Sequence, residues 1–174
     1  MESGLIGVYY NKDLFEKAGV KEFPETWTEF LDAIKKLKAS GVIPIAMGTQ
    51  TTYMAGHLHD QIFYKWLGTD AAKKLGSRDM KWTDPEVVET LQFVQDLIDA
   101  GAFDKNAAGM TDNIAMTQFQ QGEAAMVITV HGISELLKIR QRHRYVTALK
   151  LQNSHTLKKN RSLRMKICRH CLRI

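Results

Sequence analysis

Strand-like and helix-like segments alternate along most of the sequence, and this alternation restricts the fold more than any other feature. Residues 5–10 form a short run rich in β-branched and aromatic residues, which is typical of a strand. Apolar residues at helical spacing follow, and the alternation continues to a strand at residues 124–129. This order predicts an α/β architecture, in which helices pack on a sheet. Because helices outnumber strands, we expect one lobe of a larger fold.

Several helices have clear start signals. Thr26 with Glu29 three residues later has the pattern of a capping box, and apolar residues at helical spacing follow it. Asp84 followed by Pro85 combines a capping side chain with a proline suited to the first turn. Further helices are predicted at residues 12–18, 55–67 and 111–119, and a second buried strand at residues 42–47.

Charge divides the sequence into two parts. Residues 1–137 hold all 19 acidic residues and 12 of the 24 basic ones, whereas residues 138–174 hold 12 basic residues and no acidic residue. Both cysteines, Cys168 and Cys171, also lie in the basic part. We therefore predict one domain over residues 1–138 and a basic tail over residues 139–174.

The basic tail has two interpretations. One is an arm for nucleic acid, which would make the chain a nucleic-acid-binding protein. The other is a shifted reading frame after Lys138, which explains together the missing acids, the two cysteines and the lost amphipathic pattern. We favour the shifted frame. In either case dense like charge with few apolar residues predicts a poorly packed, disordered tail.

Five segments in a fixed order resemble a known family. The segments are residues 7–20 (GVYYNKDLFEKAGV), 24–30 (PETWTEF), 41–46 (GVIPIA), 83–88 (TDPEVV) and 121–126 (QGEAAM). In this order and spacing they are similar to the bacterial extracellular solute-binding proteins that include the maltose-binding group. The resemblance covers roughly residues 4–138 and is carried by the five segments together, because each alone is weak.

The resemblance implies a two-lobe periplasmic-binding-protein-like fold, whose α/β lobes close on a sugar or other small polar solute for the permease of an ABC importer. This chain resembles the helix-rich part of the C-terminal lobe. We therefore expect an incomplete copy without the first lobe or a signal peptide, and weak or absent binding. The family resemblance implies a non-catalytic protein that is extracellular or periplasmic. We expect a monomer that has no cofactor and binds neither metal nor nucleic acid.

The resemblance also selects candidate ligand-binding residues. Tyr10 matches a position beside the hinge where the family often places an aromatic ligand contact. Tyr53 and His57 fall in a loop that commonly lines the cleft of the family. Aromatic faces suit the apolar face of a sugar ring, and polar groups suit its hydroxyls. The alternatives are packing at a strand end for Tyr10 and ordinary loop variation for the other two residues.

Other features of the sequence argue against further sites. The family's cleft tryptophan is missing, because residues 129–132 read TVHG at its place. His57 and His59 point to different faces of a helix, and one cysteine pair is too few for a structural zinc site, so no metal site is predicted. No phosphate loop or nucleophile elbow supports enzymatic activity. Three tryptophans on or beside helical patterns are expected to pack in the core or on the surface: Trp27, Trp66 and Trp82.

Overall fold

The computed structural model describes residues 5–131 and 145–148. Within these residues the chain forms one four-stranded sheet, six α-helices and one short 3₁₀ helix. The strands are β1 (Leu5–Asn11), β2 (Ile43–Ala46), β3 (Ala124–His131) and β4 (Tyr145–Ala148). The helices are α1 (Lys12–Lys17), α2 (Trp27–Ala39), α3 (Tyr53–Leu67), α4 (Thr69–Ser77), α5 (Pro85–Asp99) and α6 (Asp112–Gln121), with the 3₁₀ helix at Ala107–Gly109.

The sheet has the strand order β2-β3-β1-β4 and mixes both directions of pairing. β2 is parallel to β3, whereas β1 is antiparallel to both β3 and β4. Five consecutive residues of β3, numbers 124–128, are buried, so the central strand is covered on both faces. The predicted helix-rich α/β class is therefore confirmed for the described residues.

One hydrophobic core lies between the sheet and its helices. Its fully buried side chains include Ile34 and Leu37 of α2, Phe119 of α6 and Met126 of β3. A smaller cluster, which α4 helps to build, joins the helices away from the sheet; its members are Phe63, Ala71, Met80 and Val87. None of the helices that the structure describes has the length and apolar character needed to cross a membrane.

The predicted start of α2 is confirmed in atomic detail. The Thr26 hydroxyl accepts the Glu29 backbone N–H at 3.2 Å, and the Glu29 carboxylate accepts the Thr26 N–H at 3.0 Å. The same carboxylate accepts the Glu25 N–H at 2.9 Å. Because the two backbone N–H groups favour the ionised form, the pKa of Glu29 is lowered.

The start of α5 differs from its predicted capping. Pro85 is the first residue of the helix and Asp84 precedes it, as the sequence predicts. The Asp84 side chain does not cap the helix. Its carboxylate instead accepts the Lys81 backbone N–H at 2.9 Å and so closes the turn that precedes the helix.

The predicted basic tail contributes four described residues, and these lie in the sheet. β4 pairs with the C-terminal half of β1, with Asn11 opposite Tyr145 and Val8 opposite Ala148. The expectation of a poorly packed tail did not include this strand. The predicted boundary after residue 138, both cysteines and the other tail residues lie outside the described residues, so the division into 1–138 and 139–174 stays a prediction.

Candidate ligand-binding site

A close backbone contact positions the loop that follows β2. A side-chain Cβ at Gly48 would lie 2.5 Å from the Thr111 carbonyl oxygen, so only glycine fits there. Next to it, Thr49 donates its backbone N–H to the Ala107 carbonyl at 3.0 Å. Its hydroxyl donates to the same oxygen at 3.2 Å. The loop is thereby held against the segment before α6, and the first turns of α3 and α6 lie near each other.

The first turn of α3 is left without a side-chain cap. Thr52 precedes the helix in the left-handed region, with φ 62°, which is uncommon for a β-branched residue. Its hydroxyl donates to the Thr51 carbonyl at 2.6 Å and does not accept from the helix. The Thr51 hydroxyl points across to α6, at 2.8 and 2.9 Å from the two carboxylate oxygens of Asp112. Thr52 therefore leaves the first backbone N–H groups of α3 without a side-chain cap.

Tyr53 and His57, two of the residues that the sequence predicts, lie together on α3. Their rings meet edge to face, with centroids 4.1 Å apart and an interplanar angle of 66°. Tyr53 is 52% exposed, whereas His57 is only 8% exposed. The pair therefore presents an aromatic ring to solvent and a polar ring beneath it.

The charge state of His57 follows from its surroundings. Burial lowers its pKa from the ordinary value of 6.5, because a buried imidazole loses the hydration of its charged form. Asp60 on the same helix and Asp112 on α6 act in the opposite direction, but their effect is smaller. At neutral pH His57 is therefore a neutral ring, which can donate through one nitrogen and accept through the other.

Gln61 is a polar residue of this site that the sequence reading missed. It lies one turn after His57 on α3, in the same four-residue spacing that separates His57 from Tyr53. Gln61 is 9% exposed, so a long polar side chain is buried beside the predicted pair. The spacing of Tyr53, His57 and Gln61 is visible in the sequence and could have shown this polar stripe.

Tyr10 lies on β1, which is separated from β2 by β3. Tyr10 and Ile45 of β2 are both opposite Met126 of β3, so Tyr10 is level with the end of β2 but two strands away from it. Its ring contacts Phe15 and Phe23, with centroids 4.8 and 4.9 Å away. Burial in this aromatic cluster raises the pKa of Tyr10. Among the described residues no ring contact joins Tyr10 to Tyr53 or His57, and the role of Tyr10 in ligand binding stays a prediction.

His59 has a structural partner in α5. Its Nε2 lies 3.0 Å from the hydroxyl of Thr90, which is fully buried. Since that hydroxyl donates to the Val87 carbonyl at 2.6 Å, it must accept from His59, whose Nε2 therefore carries the proton. Within residues 5–131 and 145–148, no three His, Cys, Asp or Glu side chains lie close enough to hold a metal ion.

The three tryptophans make aromatic contacts away from the Tyr53 site. Trp27 and Trp66 both pack edge-on against Phe93, with centroids 5.0 and 5.1 Å away. Trp82 is 65% exposed and lies 6.4 Å from the ring of Phe63. These contacts confirm the predicted packing roles of Trp27 and Trp66, and Trp82 is a surface residue.

Comparison with known families identifies the kind of protein to which this α/β fold belongs. The family of bacterial extracellular solute-binding proteins matches residues 3–138. The chain therefore belongs to the bacterial extracellular solute-binding protein family. The resemblance inferred from the five sequence segments is confirmed.

The chain is also similar to a periplasmic binding protein. The chain is 36% identical over 133 residues to the sn-glycerol-3-phosphate-binding periplasmic protein of Rhizobium meliloti (strain 1021). This match covers 72% of the chain and 29% of the relative. The chain thus spans less than a third of the length of that protein. These similarities give no support to the nucleic-acid alternative.

Solved structures of two-lobe solute-binding proteins contain the same architecture as this chain. A chitin oligosaccharide binding protein superposes with a TM-score of 0.73 at 29% identity, covering 87% of this chain and 40% of that one. A secreted solute-binding lipoprotein from Streptomyces coelicolor gives a TM-score of 0.74 at 25% identity, covering 88% and 39%.

Proposed function

We propose that this chain contributes the Tyr53 site to the capture of a sugar or oligosaccharide for an ABC importer. The observation that carries the proposal is the half-exposed Tyr53 ring packed against the buried His57, beside the first turn of α6. Family membership supports capture without catalysis, and the chitin oligosaccharide binding protein supports a sugar as solute. An extracellular or periplasmic location, a permease partner and a monomeric state belong to the same proposal.

The physical case rests on how sugars bind. A pyranose has an apolar face of C–H groups that packs on an aromatic ring, and hydroxyls that need paired donors and acceptors. Tyr53 supplies the ring. The Asp112 carboxylate, linked to Thr51, and the uncapped N–H groups of α3 supply an acceptor and donors nearby. The site therefore combines the two kinds of contact that a sugar needs.

The charges near Tyr53 favour a neutral sugar over a phosphate ester. The two charged groups that act on His57 are Asp60 and Asp112, and both are acids. A phosphate beside them would be repelled unless cations elsewhere in a longer protein compensated. The sn-glycerol-3-phosphate-binding relative makes sn-glycerol 3-phosphate the natural competitor in an experiment.

Isothermal titration of the 174-residue chain with chitotriose, maltotriose and sn-glycerol 3-phosphate tests the proposal. We expect one of the two sugars to bind more tightly than sn-glycerol 3-phosphate. Tyr53→Ala should weaken sugar binding about tenfold, equivalent to about 1.4 kcal/mol. Trp82→Ala is the matched control, because Trp82 is equally an exposed aromatic residue but lies elsewhere, and it should leave the affinity unchanged. Sugar binding should be weak, because the chain resembles only one of the two lobes that enclose a ligand. Equal losses in both variants, or tighter binding of sn-glycerol 3-phosphate than of either sugar, would refute the proposal.

A further inference from the structure

Helix α5 presents large apolar side chains to solvent along one side. Val88 is 49% exposed, and Leu91 and Ile98 are each 52% exposed. Because they are three and seven residues apart, they lie on one side of the helix. They are three of the seven large apolar side chains that are exposed in the part of the chain that the structure describes. We call these three residues the α5 stripe.

The α5 stripe is separate from the side that holds α5 in the domain. Thr90 and Leu97 are fully buried on that side, and the Thr90 hydroxyl lies 3.0 Å from His59 of α3. Phe93 packs edge-on against Trp66 of α3. Since these contacts already attach the helix, the stripe is an additional apolar surface. Contiguous exposed apolar side chains of this kind often mark a contact with another segment.

The charged side chains of α5 are all acidic. The helix has four carboxylates and no Lys, Arg or His; the acids are Glu86, Glu89, Asp96 and Asp99. Within residues 5–131 and 145–148, none of the four forms a salt bridge. Three of them accept hydrogen bonds from neutral side-chain N–H groups, which leave their negative charge uncompensated. The surface of α5 therefore suits a positively charged partner that also has apolar side chains.

Charge and size disfavour a second α5 as that partner. Two copies joined through this helix would bring two groups of four carboxylates together, and like charges repel. Three half-exposed side chains also offer far less than the roughly 1,200 Å² that a stable interface between separate molecules buries. The stripe is better suited to a segment that is already attached to the same molecule.

The same chain contains a segment with complementary properties. Residues 149–174 hold eight Lys or Arg residues and no acidic residue. Apolar residues stand between the cations, as in residues 163–167 (LRMKI). Such a segment offers cations for the acids of α5 and apolar side chains for the stripe. Its charge has the sign opposite to that of α5.

The length of this segment allows it to reach α5. β4 ends at Ala148, and 26 residues follow it. Fully extended, they span about 85 Å, whereas a domain of this size has a radius of gyration of about 14 Å. A flexible tether gives an effective concentration in roughly the millimolar range. A contact that is too weak to join separate molecules can therefore form within one chain.

We propose that residues 149–174 dock on the α5 stripe of their own chain. Apolar side chains of the segment cover Val88, Leu91 and Ile98, and its cations lie beside the four acids of α5. The contact requires no solute and no part of the Tyr53 site, so it does not rest on the proposed function. It is also independent of the reading frame from which the tail arose, because charge, apolar contact and tethering drive it.

Spin labelling of the 174-residue chain tests this proposal. Both cysteines lie in the segment, so Cys171→Ser leaves Cys168 as the one thiol for a nitroxide label. In low salt, the amide NMR signals of residues 88–99 should be broadened more than those of any other helix. The broadening should weaken in 1 M NaCl, where the Debye length is about 3 Å. Broadening that is even over the whole domain, or strongest on another helix, would overturn the proposal.

A matched pair of variants of the labelled chain tests the role of the stripe. Leu91→Gln should weaken docking about fivefold, because a half-exposed leucine loses its apolar contact. The broadening of α5 signals should decrease accordingly. Ile114→Gln is the control, because Ile114 is also 52% exposed but lies on α6, and it should leave the broadening unchanged. An equal decrease in both variants, or no decrease in Leu91→Gln, would contradict docking on the stripe.

A mixed sample distinguishes docking within one chain from docking between chains. Labelled chain without nitrogen-15 is mixed with nitrogen-15 chain that carries no label, well below the millimolar range of the tether. The α5 signals of the unlabelled chain should stay sharp. If they are broadened as strongly as in the singly labelled chain, the segment binds a second copy, and the proposal of docking within one chain is wrong.

Discussion

Gly48 offers the sharpest mutational test of how the site is built. In Gly48→Ala the new Cβ would lie 2.5 Å from the Thr111 oxygen and 2.6 Å from its carbonyl carbon, both backbone atoms. To reach the 3.4 Å of ordinary van der Waals contact, the loop would have to retreat by roughly 0.9 Å. Overpacking of this kind costs about 1–3 kcal/mol. The retreat would also weaken the bond from the Thr49 N–H to the Ala107 carbonyl.

Gly56→Ala is the matched control for this prediction. Gly56 lies inside α3, and a Cβ there would meet nothing within 4 Å. Alanine is a better helix former than glycine by about 0.8–1 kcal/mol, so this variant should be more stable than the parent chain. Urea denaturation of the three proteins measures both effects. Gly48→Ala with a midpoint equal to or above that of Gly56→Ala would refute the reasoning about the loop contact.

Two further predictions concern pH. The pKa of Glu29 is lowered by its bonds to backbone N–H groups, so its contribution to stability is present above about pH 4.5 and is lost as the pH falls through the folded-state pKa. Glu29→Gln keeps an acceptor oxygen and should reduce the acid sensitivity of the urea midpoint. An undiminished acid sensitivity in this variant would contradict the capping role of Glu29. Burial lowers the pKa of His57, so its contribution to stability is present above pH 6.5 and is lost as the pH falls below that value. His57→Gln should therefore reduce the change in the urea midpoint between about pH 7.5 and 5.5. An identical dependence of the midpoint on pH in both proteins would count against a buried neutral His57 ring.

Elements with strong local signals were predictable from the sequence. The Thr26 capping box, the Pro85 helix start and the apolar runs of β1 and β3 each depend on residues a few positions apart. α4 was missed because it has only nine residues and follows α3 directly, with Gly68 alone between the two helices. β4 was missed because its pairing with β1 joins residues more than 130 positions apart, within a segment whose charge pattern favours no strand.

The candidate site was predictable only in part. Tyr53 and His57 came from the family resemblance, and the structure places them in contact. The partnership of Thr51 with Asp112 spans 61 residues, so no local pattern could reveal it. Gln61 carries a local signal, its spacing from His57, but glutamine in a helix is usually exposed and the burial depends on the tertiary packing.

The central claim is that solute binds at the first turns of α3 and α6. Backbone NMR spectra of the 174-residue chain, recorded during titration with chitotriose, test this claim most directly. We expect the largest chemical-shift changes at residues 48–57 and 111–114, and small changes around Tyr10 and Phe23. Changes concentrated around Tyr10, with residues 48–57 unaffected, would contradict the account and place the ligand at the aromatic cluster of Tyr10, Phe15 and Phe23.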